Sequence, residues 1–257
     1  MKIAILGAGA FGTALGGILA DKGYDIDYYD VRIEKERLAD VVHDAVYIIL
    51  CVPSEAVPYV LPHVPKNKPL IVATKGILSD GIFTEFKDWM VLSGPGFAED
   101  IKAGKHTVLT VTDARITELL KAEYMEFELT DDKKGVLMCG ALKNVYAILA
   151  GLWDLQRESY EWMQFIDGAS AEMRRLLDAN GADARTVELA CGVGDLKLTC
   201  GEPSRNYEFG EMLRKNRDYQ PTKTVEGLSA LKRINRGEIK VPKGLKLLEE
   251  VRNAIKC

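Results

Sequence analysis

The chain has 257 residues and a mass of 28.4 kDa, enough for one large domain or two modest ones with a sizeable buried core. Hydrophobic residues make up 47% of it and charged residues 28%, a composition that excludes a disordered or fibrous protein. The net charge of -4 argues against a dedicated nucleic-acid binder, because such proteins are usually basic.

The five cysteines and three histidines form no metal-binding or disulfide pattern. Because neither CxxC nor HExxH occurs, we expect no metal site, and reduced thiols are typical of the cytoplasm. An apolar strand follows Met1-Lys2 directly, without the apolar region and cleavage site of a signal peptide. No uninterrupted run of 18 apolar residues occurs either. The sequence therefore predicts a cytoplasmic protein without an integral membrane segment.

Strand and helix patterns alternate in the first half of the chain. The run over 45–52 is apolar throughout, as expected of a parallel strand that is buried on both faces. A helix is predicted over 13–22, ending at Gly23. Strands are predicted over residues 2–6, 24–30, 45–52, 70–74, 90–93 and 107–111. This alternation predicts an α/β Rossmann-type, doubly wound N-terminal domain over residues 1–130.

Helical periodicity takes over in the second half, after Asp131-Asp132. Helices are predicted over 136–152, 158–180, 206–217, 225–236 and 244–256, which indicates an all-α C-terminal domain over residues 131–257. Residues 1–150 contain 16 basic and 21 acidic side chains, whereas residues 151–257 contain 18 and 17, with ten of the 13 arginines. An arginine-rich half without acidic excess suits an anionic small molecule.

The glycine motif Gly7-x-Gly9-x-x-Gly12 follows the first strand and opens a helix, as a dinucleotide-binding fingerprint requires. Gly7 allows the tight turn, Gly9 lets the backbone approach the pyrophosphate, and Gly12 permits close packing of helix on strand. The N–H groups that open the helix then face the phosphates. Asp30 ends the second strand, where a carboxylate binds the adenosine ribose. This carboxylate slightly favours NAD over NADP, although Arg32 could accommodate a 2′-phosphate.

Two groups of polar residues in the second half are unusual for a plain helical scaffold. Lys143 lies within the apolar run 140–145, and a buried lysine is unfavourable unless it is paired or neutral. Asp195 and Thr199 are four residues apart and would share one face of a helix. Ser204-Arg205-Asn206 would place a helix cap, backbone N–H groups and a guanidinium around one anion.

Together these segments resemble the NAD(P)-dependent glycerol-3-phosphate dehydrogenases. The matching stretches occur in the order of that family: 7–14, 73–76, 93–95, 141–145, 194–206 and 225–227. The resemblance implies reversible reduction of dihydroxyacetone phosphate to sn-glycerol 3-phosphate by hydride transfer from NAD(H) or NADP(H). It also implies a role in glycerophospholipid synthesis, with a phosphorylated small molecule as the expected partner. A homodimer is left open.

The resemblance further implies the roles of individual residues. Lys143 would be the general acid/base, helped by Asp195 as counter-ion and by Lys75, which makes these three the catalytic residues. Substrate contacts are implied for Lys75, Gly94, Lys143, Asp195, Thr199, Ser204, Arg205 and Asn206. Cofactor contacts are implied for Gly7, Gly9, Ala10, Phe11, Gly12, Asp30, Lys75, Ala98, Arg205 and Glu226.

The chain departs from the family in three places. It is shorter, mainly between Asp30 and Ala45; Gly96 stands where Ser or Thr is usual; and residues 155–160 replace a segment with Gly and Asn. Two alternatives are kept. One is a related hydroxyacid or ketopantoate-type dehydrogenase, against which the Ser-Arg-Asn group argues. The other is a non-catalytic NAD(P)-binding sensor, which would have no need of Lys143 and Asp195.

For single residues, structural explanations also stay open. Lys143 could extend its ammonium to solvent, and Asp195 could cap a helix. Arg205 could form a surface salt bridge, and Glu226 could be an ordinary first-turn acid.

Overall fold

The computed structural model describes residues 1–33, 37–77, 80–201 and 204–255, which form two compact units. Unit 1 comprises Met1–Thr74 and Ser79–Lys133, and unit 2 comprises Lys75–Leu78 and Lys134–Cys257. The main division therefore falls three residues after the boundary predicted from the sequence. The segment that begins at Lys75 belongs to the helical unit, although in the sequence it lies between two strands of unit 1.

Unit 1 is built on one seven-stranded sheet with the order β2-β1-β3-β4-β5-β6-β7. Its strands are β1 (Lys2–Leu6), β2 (Asp25–Tyr29), β3 (Tyr47–Leu50), β4 (Leu70–Val72), β5 (Trp89–Ser93), β6 (Thr107–Val111) and β7 (Met125–Leu129). Neighbouring strands are parallel except β5 and β6, which are antiparallel. Leu6, the last residue of β1, pairs with Tyr29 on one side and with Leu50 on the other. The strand order reverses at β1, and ligands of such sheets bind at the carboxyl ends beside this point.

The α-helices in the described part of unit 1 are α1 (Ala10–Asp21), α2 (Leu38–His43), α3 (Val57–Val60), α4 (Ala98–Lys102) and α5 (Ala114–Leu120). Helix α1 begins three residues before its predicted start, within the glycine motif. The Gly9 carbonyl accepts a hydrogen bond from Thr13 N at 2.9 Å, so the motif itself closes the first helical turn. Leu15 and Leu19 of α1 are fully buried in one cluster with Ile3 and Ile5 of β1.

The described residues of unit 2 form helices joined by loops, without a strand, and α6 begins one residue before the division between the units. Its helices are α6 (Lys133–Leu152), α7 (Tyr160–Ala179), α8 (Asp195–Gly201), α9 (Arg205–Lys215), α10 (Glu226–Asn235) and α11 (Lys246–Ala254). A π-helical turn, Ala190–Gly194, leads directly into α8. The predicted fold class, a Rossmann-type α/β part followed by an all-α part, is confirmed.

Helix α6 is the central helix of unit 2. Within the described residues it is the one helix long and apolar enough to cross a membrane, with a mean hydropathy of 1.6 over 18 residues. However, 94% of that window is buried inside the structure, as in the core helix of a globular unit. Lys143 and Asn144 interrupt its apolar sequence, and both are buried.

Candidate active site

Lys143 is the centre of a buried polar cluster in unit 2. Its Nζ donates to Asp195 Oδ1 at 2.6 Å and to Thr199 Oγ1 at 2.8 Å. Lys143 is 4% exposed and Asp195 is 1% exposed. These contacts join the middle of α6 to the first two turns of α8. The structure therefore brings together three residues that the sequence predicted for the site.

Helix α8 explains how Asp195 and Thr199 act on one lysine. Asp195 is the first residue of the helix, where unpaired N–H groups and the helix dipole favour a negative charge. Thr199 lies one turn later, and its Oγ1 donates to Asp195 Oδ1 at 3.2 Å. The predicted sharing of one helix face by these residues is confirmed. The hydroxyl and the carboxylate together hold the Lys143 ammonium on two sides.

The environment of Lys143 brings its pKa from the ordinary 10.5 to about 8. Burial is the main cause, because it disfavours the charged form. The negative charge of Asp195 opposes this decrease, and the positive charge of Lys75 adds to it. A lysine with such a pKa can both donate and accept a proton near neutral pH. The neighbouring Cys200 is fully buried, and burial raises the pKa of its thiol, so it is not an activated nucleophile.

Lys75 approaches the same carboxylate from the other side. Its Nζ lies 3.5 Å from Asp195 Oδ2, so one carboxylate lies between two lysines. Asp195 Oδ2 is buried and has no hydrogen-bond donor among the described residues. A ligand hydroxyl could supply that donor, while the positive charges favour an anionic ligand. The cluster can therefore recognise a hydroxylated anion.

Ser204 and Arg205 open helix α9 close to this cluster. Ser204 Oγ accepts from Tyr207 N at 3.2 Å, which confirms the predicted helix cap, and it donates to Thr199 O at 3.2 Å. Arg205 follows as the exposed first residue of an 11-residue helix. Helix N-termini bind anions through their free N–H groups, and the guanidinium adds a positive charge. Their contact with substrate stays a prediction.

The glycine motif of unit 1 has the geometry that a dinucleotide needs. Gly7 has φ +109°, and a Cβ there would lie 2.7 Å from the carbonyl carbon of Cys51. A Cβ on Gly12 would lie 2.2 Å from Gly7 O, whereas one on Gly9 would meet no atom within 4 Å. The space beside Gly9 is thus open at the start of α1, whose first residues are Ala10 and Phe11. These residues fit the pyrophosphate of NAD or NADP.

Asp30 directly follows β2, and its carboxylate already accepts hydrogen bonds from the glycine loop and from Arg32. Its Oδ2 accepts from Ala8 N at 3.0 Å, and Arg32 Nη2 lies 2.6 Å from the same oxygen. The hydrogen bond from Arg32 is the main reason that the pKa of Asp30 decreases to about 2. The carboxylate is therefore ionised at neutral pH, and Arg32 partly offsets its charge. This pairing weakens the discrimination against a 2′-phosphate that an isolated carboxylate would provide.

The remaining predicted residues are divided between the units. Gly94 follows β5 in unit 1 with φ +149°, directly after Ser93, whose buried hydroxyl has no hydrogen-bond partner among the described residues. Ala98 is the first residue of α4 in unit 1, and Glu226 is the first residue of α10 in unit 2. Among the described residues, Lys75, Lys143, Asp195 and Thr199 form one group of contacting side chains, which Ser204 joins through its hydrogen bond to Thr199 O. The predicted roles of all these residues stay predictions.

Asn144 is a buried polar residue that the sequence reasoning did not single out. It follows Lys143 on α6, and its Oδ1 accepts from Asn206 Nδ2 at 2.8 Å. The sequence signal that could have indicated Asn144 is the pair of adjacent polar residues, Lys143 and Asn144, within an otherwise apolar run. A helix interior seldom buries two such residues unless both have partners.

Comparisons of the sequence and of the structure with known proteins find relatives with the same enzyme name. A family model described as NAD-dependent glycerol-3-phosphate dehydrogenase C-terminus matches residues 132–256. The chain is 34% identical to glycerol-3-phosphate dehydrogenase (NAD(P)+) of Leptospira biflexa, covering 84% of this chain and 80% of that protein. It is 31% identical to the enzyme of the same name from Citrifermentans bemidjiense, covering 84% and 79%. The structure is similar to glycerol-3-phosphate dehydrogenase from Coxiella burnetii, with a TM-score of 0.81, 26% identity and coverage of 98% and 94%.

Proposed function

The chain belongs to the NAD(P)-dependent glycerol-3-phosphate dehydrogenase family, and we propose that it reversibly reduces dihydroxyacetone phosphate to sn-glycerol 3-phosphate. The observation that carries this proposal is the buried group of Lys143, Asp195 and Thr199, with Lys75 on the far side of the carboxylate. The ketopantoate-type alternative has less support, because the relatives of more than 30% identity bear the glycerol-3-phosphate dehydrogenase name. A non-catalytic sensor would have no use for a buried lysine with a pKa near neutrality.

Lys143 supplies the proton in the proposed reduction. A nicotinamide cofactor, held by the glycine motif, would supply the hydride that the substrate carbonyl carbon accepts as its C=O π electrons move to the oxygen. The Lys143 ammonium donates a proton to that oxygen and becomes a neutral amine. In the oxidation, the neutral amine takes the hydroxyl proton back. A pKa of about 8 allows both directions near neutral pH.

Asp195 and Lys75 assist this proton transfer. Asp195 orients Lys143, and Lys75 provides positive charge near the reacting oxygen. Asp195 Oδ1 and the Thr199 hydroxyl orient the Lys143 ammonium. Asp195 Oδ2, which has no donor among the described residues, is available to a hydroxyl of the substrate. Lys75 adds a positive charge that attracts the anionic substrate and stabilises negative charge on the reacting oxygen.

Ser204, Arg205 and Asn206 hold the substrate phosphate in this proposal, at the N-terminus of α9. The helix N–H groups and the guanidinium are suited to a phosphate dianion. Gly94 and Thr199 complete the proposed substrate contacts. The glycine motif, Ala10, Phe11, Asp30 and Ala98 contact the cofactor, as do Lys75, Arg205 and Glu226 from unit 2. NAD is slightly favoured over NADP on account of Asp30.

We further propose that the enzyme acts in the cytoplasm, where its product enters glycerophospholipid synthesis, and that it can form a homodimer. The family name supports the reaction that such a role requires. The unpatterned cysteines support the compartment.

The experiment follows absorbance at 340 nm with purified protein, dihydroxyacetone phosphate and either NADH or NADPH. We expect substrate-dependent oxidation of at least one cofactor, and loss of nearly all activity in Lys143→Ala. Arg205→Ala is expected to increase KM for dihydroxyacetone phosphate by about tenfold or more, because a charge-assisted contact contributes about 1.5–3 kcal/mol. Arg185→Ala, at an exposed arginine of the same unit, is the matched control. Cofactor binding without turnover would contradict the enzyme hypothesis and favour a sensor.

A further inference from the structure

The loop over residues 153–159, which joins α6 to α7, lies against the helices that carry the proposed substrate residues. Tyr207 Oη, in the first turn of α9, donates to Leu155 O at 3.0 Å. Directly after the loop, Trp162 in the first turn of α7 donates from Nε1 to Cys200 O of α8 at 3.0 Å. The α6–α7 loop is therefore fixed beside the end of α8 and the start of α9.

The backbone of the α6–α7 loop has an unusual conformation at two residues. Among the described residues, the non-glycine residues with positive φ are Asp154 at +56° and Glu158 at +67°, and both lie in this loop. An ion pair holds Asp154 to α9, since its Oδ2 lies 3.0 Å from Nη2 of Arg214. Left-handed backbone is unfavourable for a glutamate, and such conformations concentrate at functional sites. The loop conformation therefore points to a binding role for a residue between Asp154 and Glu158.

Arg157 lies between these two residues and packs against the end of α8. A Cβ on Gly201, the last residue of α8, would lie 3.1 Å from Arg157 Cγ and 3.2 Å from Arg157 Cδ. Ser204 contacts the same helical turn through its hydrogen bond to Thr199 O. Gly201 precedes Ser204 by three residues, which span at most about 11 Å. The stem of Arg157 and the start of α9 therefore lie at the same end of α8.

The guanidinium of Arg157 is accessible to a ligand. The side chain is 47% exposed, and its Nε lies 3.6 Å from Glu158 Oε1, beyond hydrogen-bond distance. Glu158 is 79% exposed, and an ion pair between groups as exposed as these contributes little. A phosphate accepts two parallel N–H bonds from one guanidinium. It can therefore compete with Glu158 for Arg157.

We propose that Arg157 is a specificity-determining residue that supplies a second guanidinium to the substrate phosphate. Arg205 and the N–H groups of α9 hold the phosphate from the helix, and Arg157 adds a positive charge from the α6–α7 loop. Two guanidinium groups favour a phosphorylated substrate over an uncharged one. This inference rests on the proposed function, in which the start of α9 binds the phosphate. Arg157 lies in the segment 155–160, where the sequence departs from the family, so the resemblance does not imply this contact.

Arg157→Gln separates the charge from the packing, because glutamine keeps the part of the stem that lies on Gly201 and lacks the guanidinium. Arg157→Lys keeps a positive charge. For each variant, kcat and KM are measured with dihydroxyacetone phosphate, and the Kd of inorganic phosphate is measured by calorimetry. All measurements are made at about 0.05 M and about 0.5 M NaCl, since salt screens exposed charges. Arg185→Gln is the matched control, because Arg185 is an exposed arginine of unit 2 that also pairs with an acid of its own segment, Asp183.

If Arg157 binds the phosphate, Arg157→Gln raises both KM and the phosphate Kd by about three- to tenfold at low salt, with kcat within about twofold of wild type. The difference decreases at high salt, because the contact is exposed. Arg157→Lys has an intermediate Kd, since an ammonium supplies the charge without the paired N–H groups. Glu158→Gln removes the competing carboxylate and lowers the phosphate Kd by about two- to threefold. Arg185→Gln binds phosphate as the wild type does.

An unchanged phosphate Kd in Arg157→Gln at low salt overturns the proposal, because Arg157 then only packs on α8. A lower kcat with unchanged KM and Kd overturns it as well. Far-UV circular dichroism and thermal unfolding establish that each variant is folded. Should Arg157→Gln not fold, Glu158→Gln decides, since an unchanged or higher Kd in it contradicts competition for Arg157. A wild-type protein without turnover would overturn the proposed function, whereas the phosphate Kd values would still decide whether Arg157 binds the anion.

Discussion

Replacement of Asp195 by asparagine would test how one buried carboxylate controls the proton chemistry of Lys143. Asp195 Oδ1 lies 2.6 Å from Lys143 Nζ, and Oδ2 lies 3.5 Å from Lys75 Nζ. An opposite charge this close changes a pKa by about one to three pH units. Asp195→Asn keeps the shape of the side chain but removes the charge, while burial and Lys75 continue to act. We therefore expect the pKa of Lys143 to fall from about 8 to between about 5 and 7.

The change in pKa converts directly into a change in rate. At pH 7, a pKa of 8 leaves about nine-tenths of the lysine protonated, a pKa of 7 leaves about half, and a pKa of 5 leaves about 1%. Reduction of the carbonyl needs the protonated form, so kcat at pH 7 should fall by about two- to 100-fold. Because the reduction rate decreases as the pH rises through the pKa, the decrease in the variant begins at a lower pH. The oxidation rate increases through the same pKa.

The assay measures kcat in both directions from about pH 5 to pH 10 for the wild type and Asp195→Asn. Asp178→Asn, which changes an exposed carboxylate on α7, is the control and should leave both profiles unchanged. If Asp195→Asn lowers the rate by the same factor at every pH, with the midpoints unmoved, the carboxylate does not set the pKa of Lys143. That result would refute the electrostatic explanation of the site.

Two other predictions concern the cofactor loop and the packing of α6. Gly12→Ala would place a Cβ 2.2 Å from Gly7 O, so the Kd for NADH should rise at least about tenfold in a fluorescence titration. Gly17→Ala, with no atom within 4 Å of its new Cβ, is the control, and equal affinities would contradict the role of the loop. Glu172 accepts hydrogen bonds from Leu247 N at 2.8 Å, Leu248 N at 3.0 Å and Tyr146 Oη at 3.0 Å. Glu172→Gln turns an amide N–H toward these donors and should lower the free energy of unfolding in urea by about 1–3 kcal/mol, unlike the exposed Glu161→Gln. An unchanged unfolding midpoint with an unchanged slope would show that the carboxylate is not needed there.

The central strands and the cofactor loop could be predicted because their signals are local. The apolar run before Gly7 and the spacing of the glycines define β1 and the start of α1 within some 20 residues. β6 was predicted over its full observed length. β7 was not predicted, although Met125-Glu126-Phe127-Glu128-Leu129 alternates apolar and acidic residues as a half-exposed strand does. It lies at the sheet edge, so its residues lack the continuous apolar character of the central strands.

The contacts of the candidate site could not be predicted from local patterns. Periodicity placed Asp195 and Thr199 on one helix face, because a helix repeats every 3.6 residues. It could not show that this face meets Lys143, which is 52 residues away in the chain. It also assigned Lys75 to the first domain, whereas the structure places it in unit 2 beside Asp195. Asn206 was expected at the substrate, and its hydrogen bonds with Asn144 and Gly227 emerged only from the packing of three helices.

Residue types and their spacing are sufficient to define the α/β and helical halves, the glycine loop and the resemblance to one dehydrogenase family. These sequence patterns reflect interactions between residues a few positions apart, and such interactions recur at regular intervals along a helix or a strand. The pKa of Lys143 and the shared carboxylate depend instead on burial and on charges from distant segments. Those quantities exist only once α6, α8 and the segment at Lys75 are packed together, because packing removes the water that would otherwise screen the charges.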